Sequence, residues 1–181
     1  MDQTVIKVPE ERVGVFFGKD SETLKTLEEK LGLKLEIKHD GSVILEGNAD
    51  KIYFGKNVIK AIGRGFSPDV ALYLVDKEDF MFELIDLDEF LNTENAIHRV
   101  KGRIIGSDGK IKTEIEKMID CYISVYGNTV GIIAPFDSIS FAKEAIAMII
   151  RGSMHSSVMN FLSRKKEELK LSRLMGSSRV S

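Results

Sequence analysis

Arg103-Ile104-Ile105-Gly106-Ser107-Asp108-Gly109-Lys110-Ile111-Lys112 joins an apolar segment to an amphipathic helical pattern across two glycines three residues apart. Downstream, Ile111, Ile115 and Ile119 recur on one helix face, and Lys110, Lys112 and Lys117 fall largely off it. The glycine pair alone says little, because 15 glycines in 181 residues yield about one such pair by chance. Its surroundings decide the reading. Arg99, Lys101, Arg103, Lys110 and Lys112 flank it against the single carboxylate Asp108. A residue without a Cβ lets another backbone approach closely, and the amides at a helix start favour phosphate. The stretch is therefore suited to clamp a sugar-phosphate backbone, with bases lying along an adjacent sheet edge.

The same stretch has an earlier counterpart. Phe16-Phe17-Gly18-Lys19-Asp20-Ser21 aligns with Ile104-Ile105-Gly106-Ser107-Asp108-Gly109 at a shift of 88, the difference between 106 and 18. Ala61-Ile62-Gly63-Arg64-Gly65 aligns with Met148-Ile149-Ile150-Arg151-Gly152 at a shift of 87. The chain is thus an internal duplication of modules of about 70 to 80 residues, the size of a small domain. The boundaries expected are 1–92 and 93–181.

In the first copy Leu24, Leu27 and Leu31 have helical spacing, Asp20 or Ser21 can cap that helix, and Gly32 ends it. Lys34 to Lys38 and Ser42 to Glu46 alternate as two strands around the turn His39-Asp40-Gly41. A helix follows from Asn48 to Ile62, then a short one opened by Ser67-Pro68-Asp69, then a strand at Phe80 to Ile85. In the second copy a strand is expected at Ala96 to Val100, which makes His98 a strand residue. The glycine loop and its helix come next, then Tyr122 to Tyr126 and Thr129 to Ala134 around Gly127-Asn128. Asp137 or Ser138 can cap a helix carrying Ile139, Ala142, Ile146 and Ile149. A further helix runs through Val158 and Phe161 into a charged stretch, with a disordered tail expected from Gly176. The fold class expected is α+β, two modules each ordered β, α, α, β, β, α.

Composition limits what such a chain can be. At 43% hydrophobic and 30% charged, with no apolar run near the roughly 20 residues of a membrane span, it reads as globular. The N-terminal MDQTVIKVPE lacks the basic flank and apolar stretch of a signal peptide. A lone cysteine, Cys121, forms no internal disulfide, and its place after a helix end suggests a buried thiol in a reducing, cytoplasmic compartment. None of the three histidines has a second ligand at metal spacing, so neither metal nor cofactor is expected. The net charge of −2 hides an asymmetry. Residues 1–93 hold 12 Lys and Arg against 19 Asp and Glu, and residues 94–181 hold 14 against 9. A polyanion would meet the second half.

The Arg103 to Lys112 string resembles the signature of KH domains, whose GxxG loop grips about four nucleotides of single-stranded RNA. The element order matches the type I variant of that fold. The tandem arrangement, Gly63-Arg64-Gly65-Phe66-Ser67-Pro68, and Arg151-Gly152-Ser153-Met154-His155-Ser156-Ser157-Val158 look like the archaeal branch of a small-subunit ribosome assembly family, the partner of Nob-one. The likeness covers nearly the whole chain. It implies binding to small-subunit rRNA near its 3′ end, beside the nuclease that matures that end and other pre-ribosomal or translation factors. The RNA-binding residues implied are Lys101, Gly102, Arg103, Ile104, Ile105, Gly106, Ser107, Asp108, Gly109, Lys110, Lys112, Arg151 and His155.

The first copy departs from the signature at Ser21, where the second glycine belongs. Glu10, Glu11, Asp20 and Glu22 also offset Arg12, Lys19 and Lys25. A Cβ and nearby carboxylates both disfavour phosphate. This copy is expected to be KH-like but degenerate, with an acidic surface for a protein partner. Other readings remain. One is a tandem KH protein of a transcription or RNA-degradation complex, and another is a protein-only adapter. A third is an RNA-processing enzyme, but the acidic stretch Asp76 to Glu89 alternates with Phe80, Phe82 and Leu84 as a strand rather than a metal cluster. His155 is open between an RNA contact and a helix cap.

Overall fold

The computed structural model describes residues 1–177. The chain divides into two compact units between Phe82 and Glu83, ahead of the expected boundary at 92/93. The first unit contains β1 (Asp2–Lys7), α1 (Val13–Phe17), α2 (Glu22–Leu31), β2 (Lys34–Ile37), β3 (Ser42–Gly47) and α3 (Ala49–Gly63). Two short helices follow, α4 (Pro68–Ala71) and α5 (Tyr73–Asp76). Strand β4 (Phe80–Asp86) crosses the division and leads into α6 (Glu94–Ile105), α7 (Lys110–Ile119), β5 (Tyr122–Tyr126), β6 (Thr129–Pro135), α8 (Ile139–Ile150) and α9 (His155–Ser177).

The two sheets have one topology, β1-β3-β2 and β4-β6-β5, with the last strand in sequence at the centre of each. In the first, β3 pairs antiparallel with β1 from Asp2↔Gly47 to Lys7↔Ser42, and with β2 from Lys34↔Glu46 to Ile37↔Val43. Alternation puts Ile6, Leu35, Val43 and Leu45 inside, and Phe16, Leu27, Val58, Ile59 and Ile62 from the helices are likewise buried. In the second, β5 and β6 pair from Tyr122↔Ile133 to Tyr126↔Thr129 around Gly127-Asn128. Every residue of the central strand β6 is buried, and Val130, Ile132 and Ala134, on one face by alternation, join the core with the helices. Its core joins Ile104, Ile115, Ile132, Ile146 and Ile149. Fully burying each such side chain contributes about 1.5 to 3 kcal/mol.

The sequence reading needs correction at the start of each module. Ala96 to Val100 is helix rather than strand, and His98 is an exposed helical residue. Ile97, Val100 and Ile104 are buried at spacings of three and four, and the Thr93 hydroxyl caps the helix by accepting the Ala96 N–H at 3.1 Å. β4, which the pattern assigned to the end of the first copy, is the opening strand of the second sheet. The first copy opens on β1, a strand the sequence reading did not identify.

Two capping expectations also change. Ser21 and Ser138 occupy N-cap positions but make no side-chain cap bond. Ser138 Oγ instead donates to Pro135 O at 3.3 Å, and Asp137 accepts both a Nε and a Nη2 bond from Arg173 at 3.0 Å. Ser67 does cap α4, and Gly32 closes α2 in the left-handed region, as expected. α9 continues through Ser177, and the remainder of the expected tail lies outside the described residues.

Candidate nucleic-acid interface

The loop between α6 and α7 turns through three left-handed residues: Gly106 (φ 74), Asp108 (φ 54) and Gly109 (φ 73). Its counterpart between α1 and α2 has the same backbone at Gly18 (φ 62), Asp20 (φ 53) and Ser21 (φ 61). The duplication is therefore preserved at the level of individual torsions, including the position where serine replaces glycine.

The two glycines of the second loop do different things. A Cβ on Gly106 would lie 2.4 Å from Ile111 Cγ1 and 2.9 Å from the Ile111 backbone nitrogen. This glycine lets the loop fold tightly onto α7, as Gly18 does against Thr23 in the first copy. A Cβ on Gly109 would meet nothing within 4 Å. Ser21 shows that the same turn accommodates a side chain, so packing within the protein does not demand a glycine at 109. What the missing Cβ keeps open is the outward approach to the loop. Gly102, one turn back on the exposed side of α6, has the same open space around it and costs helix stability relative to alanine.

The basic residues sort into two groups. Lys110 is exposed, Lys101 is half-buried and Arg99 is exposed, and none makes an ion pair among the described residues. Arg103 points elsewhere. Its Nη1 donates to Ile149 O at 3.0 Å and its Nη2 to Ser153 O, tying the last turn of α6 to the end of α8. His155 Nε2–H donates in turn to Arg103 O at 2.9 Å, so α9 is fastened to the residue three positions before Gly106. Lys112 pairs with Glu116 at 3.1 Å, and Arg151 pairs with Glu144 at 2.7 Å on an exposed surface. Ile104 is buried, Ile111 and Val125 of the edge strand β5 are half-buried against the core, and Ile105 is half-buried. Ser107 and Asp108 are exposed at the loop tip.

Two braces escaped the sequence reading. Glu116 Oε1 accepts the Ile123 N–H at 2.8 Å, fixing α7 to β5, and Glu28 Oε1 does the same with the Leu35 N–H at 2.8 Å. Both partners are displaced by 88, so the repeat itself carried the signal. In the first unit Arg12 Nε donates to Ile62 O at 3.0 Å and Nη2 to Phe66 O at 2.9 Å. Those carbonyls align at a shift of 87 with the ones Arg103 uses, whereas Arg12 falls on Arg99 at that shift and on Val100 at the shift of 88 of the glycine loops, and on Arg103 at neither. One function is served from two positions, which no alignment of the copies would reveal.

The thiol of Cys121 is buried, and burial followed by the nearby Glu116 and Asp120 carboxylates pushes its pKa up to about 12. It is therefore a core residue rather than a nucleophile at neutral pH. Among the described residues no group of His, Cys, Asp or Glu could hold a metal ion, and no helix is long and apolar enough to cross a membrane.

A mixed sheet-and-helix unit with a left-handed GxxG loop between its first two helices is the KH architecture. Residues 81–167 match the second KH domain of PNO1, a eukaryotic-type KH domain (KH-domain type I). The KH domain-containing protein MJ0443 of Methanocaldococcus jannaschii is 40% identical over 174 residues, covering 93% of this chain and 76% of that protein. The Dim2p chain in the a/eIF2alpha-aDim2p-rRNA complex of Pyrococcus horikoshii superposes with a TM-score of 0.84 at 35% identity, covering 92% of this chain and 95% of that one. The pre-rRNA-processing protein PNO1 of Chaetomium thermophilum is 31% identical over 124 residues, covering 65% of this chain and 48% of that protein. The chain thus spans about half the length of this fungal relative. It belongs to the PNO1/Dim2 family of KH-domain proteins.

Proposed function

We propose that this protein is a non-enzymatic, single-stranded RNA-binding ribosome biogenesis factor that holds small-subunit rRNA near its 3′ end while that end matures. The second unit is the clamp. The observation that carries this reading is Gly109, a left-handed residue with empty space outside it, followed by Lys110 and preceded by Lys101 in the last turns of α6, two cations with no ion pair among the described residues. Phosphates approach the Gly106 to Gly109 backbone, and bases lie against Ile105, Ile111 and Val125 toward the β5 edge. Arg103 and His155 act as positioning residues through the bonds that hold α6, α8 and α9 together. The rRNA seen with the Pyrococcus relative and the names of the fungal relatives support the same assignment.

The first unit is a degenerate KH-like module. Ser21 places a side chain where phosphate would approach, and exposed Glu10, Asp20 and Glu22 repel it. A recess of a size for protein side chains lies elsewhere, in a pocket of about 700 Å³ bordered by Tyr53, Phe54, Phe80 and Met81. Tyr53 and Phe54 are 67% and 56% exposed, which supports docking of a maturation nuclease or another assembly factor there.

A titration with a short RNA matching the 3′ end of small-subunit rRNA, against a scrambled control, tests the target. Preferential binding to the first is expected. Equal affinity for both would remove the specific target while keeping the KH reading.

A further inference from the structure

The end of α7 and the middle of α9 form a groove of about 480 Å³ away from the glycine loop. Ile119 and Leu169, 3% and 8% exposed, close the inner part of its apolar floor, and Leu174, 61% exposed, forms an apolar outer rim. Around that rim the groove offers charge to solvent. Lys117, Lys166 and Lys170 line it, are exposed, and make no ion pair among the described residues, and Asp120 is the one carboxylate in the lining. Lys166 and Lys170 stand four residues apart on α9, a like-charge pair that weakens a helix slightly. Nearby cations behave differently: Lys165 pairs with Glu168 at 2.9 Å, and Arg173 pairs with Asp137 at 3.0 Å.

We propose that this groove is a second phosphate-binding subsite for the RNA strand whose other part the glycine loop holds. Three ammonium groups with no ion pair among the described residues, against a single lining carboxylate, suit a sugar-phosphate backbone, and the exposed Leu174 offers an apolar contact to a ribose or base. Lysines at the tips of flexible stems contact phosphate without reading sequence. The two sites share α7, whose ten residues extend about 15 Å from loop to groove. RNA that leaves the clamp can therefore reach the groove along one helix of one unit.

The inference rests on the clamp reading, and one set of titrations separates the two. The probes are an RNA of about four nucleotides, the length a GxxG loop holds, and the same RNA extended at its 5′ or its 3′ end. The proteins are the full chain and its Lys117→Gln, Lys166→Gln, Lys170→Gln triple variant. The parent is expected to bind one extended RNA more tightly than the short one. The triple variant is expected to lose about tenfold on that RNA, to bind the short one as the parent does, and to show a salt slope smaller by about 2. The groove assignment is overturned if extension gains nothing in the parent, if the gain survives in the variant, or if short and extended RNA weaken equally. Failure of the clamp reading looks different: Gly109→Asp would then bind the short RNA unchanged.

Discussion

At Gly106 and Gly109 the same residue type answers to two masters, and substitution separates them. Gly106→Ala forces a Cβ into Ile111 and its backbone nitrogen, so it should cost about 3 kcal/mol, read as a lower midpoint in denaturant unfolding. Gly109→Ser should cost only about 1 kcal/mol, because Ser21 already holds that conformation without a clash. Cys121 gives a residue-level prediction about pH. Its thiol titrates near 12 in the folded chain against an ordinary value of 9.0, so the unfolded state loses its proton first as pH rises. The stability contributed by the neutral buried thiol should be intact below pH 9 and fall from there toward pH 12. A thiol reagent at pH 7 should leave native Cys121 unmodified and label it once the chain is denatured; labelling of the native protein would contradict its burial.

Among the elements, the braces decide how firmly the loop is held. Arg103→Ala removes two charged hydrogen bonds to carbonyls at the end of α8 and beyond it. It should destabilise the second unit by about 3 kcal/mol, and thermal melting of the full chain would show it. Glu116→Ala frees the Ile123 N–H and releases Lys112, and should cost about 2 kcal/mol; Glu28→Ala should cost about the same in the first unit. The elements around these braces were readable in the sequence where periodicity was unbroken, as in α7, β5, β6 and α8. They were misread where it was ambiguous. Ala96 to Val100 is too short to distinguish strand from helix, and only Ile104 further on, with Thr93 behind, makes it α6. β1 carries a single buried residue, Ile6, so its sequence gave little inward pattern. The glycine loop was legible in full, whereas Arg103 was legible only as a charge. A guanidinium that satisfies distant carbonyls leaves no local signature.

For the whole molecule, residues 1–82 hold 12 Lys and Arg against 15 Asp and Glu, and residues 83–181 hold 14 against 13, so the basic residues of the second unit act through their clustering rather than through its net charge. The first unit carries the loop with Ser21, and the second carries the loop with Gly109 and the lysine groove. Affinity for RNA should therefore come from one end of the chain and fall linearly in log–log form with salt, by about 0.7 for each phosphate neutralised on a single strand. A flat salt response would favour the protein-only adapter. At this scale the self-similarity at a shift of 88 residues needs no torsions or contacts to be read, whereas the charge contrast counted at 93 shrinks at the observed division because Glu83, Asp86, Asp88 and Glu89 fall in the second unit. The division itself was placed late because β4 belongs to the second sheet.

The central claim is that the Gly106 to Gly109 loop holds RNA through its bare outer face. It is tested most directly by titrating the full chain and its Gly109→Asp variant against one short single-stranded RNA, with circular dichroism to confirm that both are folded. The account predicts an unchanged fold and an affinity at least about tenfold weaker in the variant, since a carboxylate would then occupy the phosphate approach. A folded variant that binds as well as the parent would contradict it.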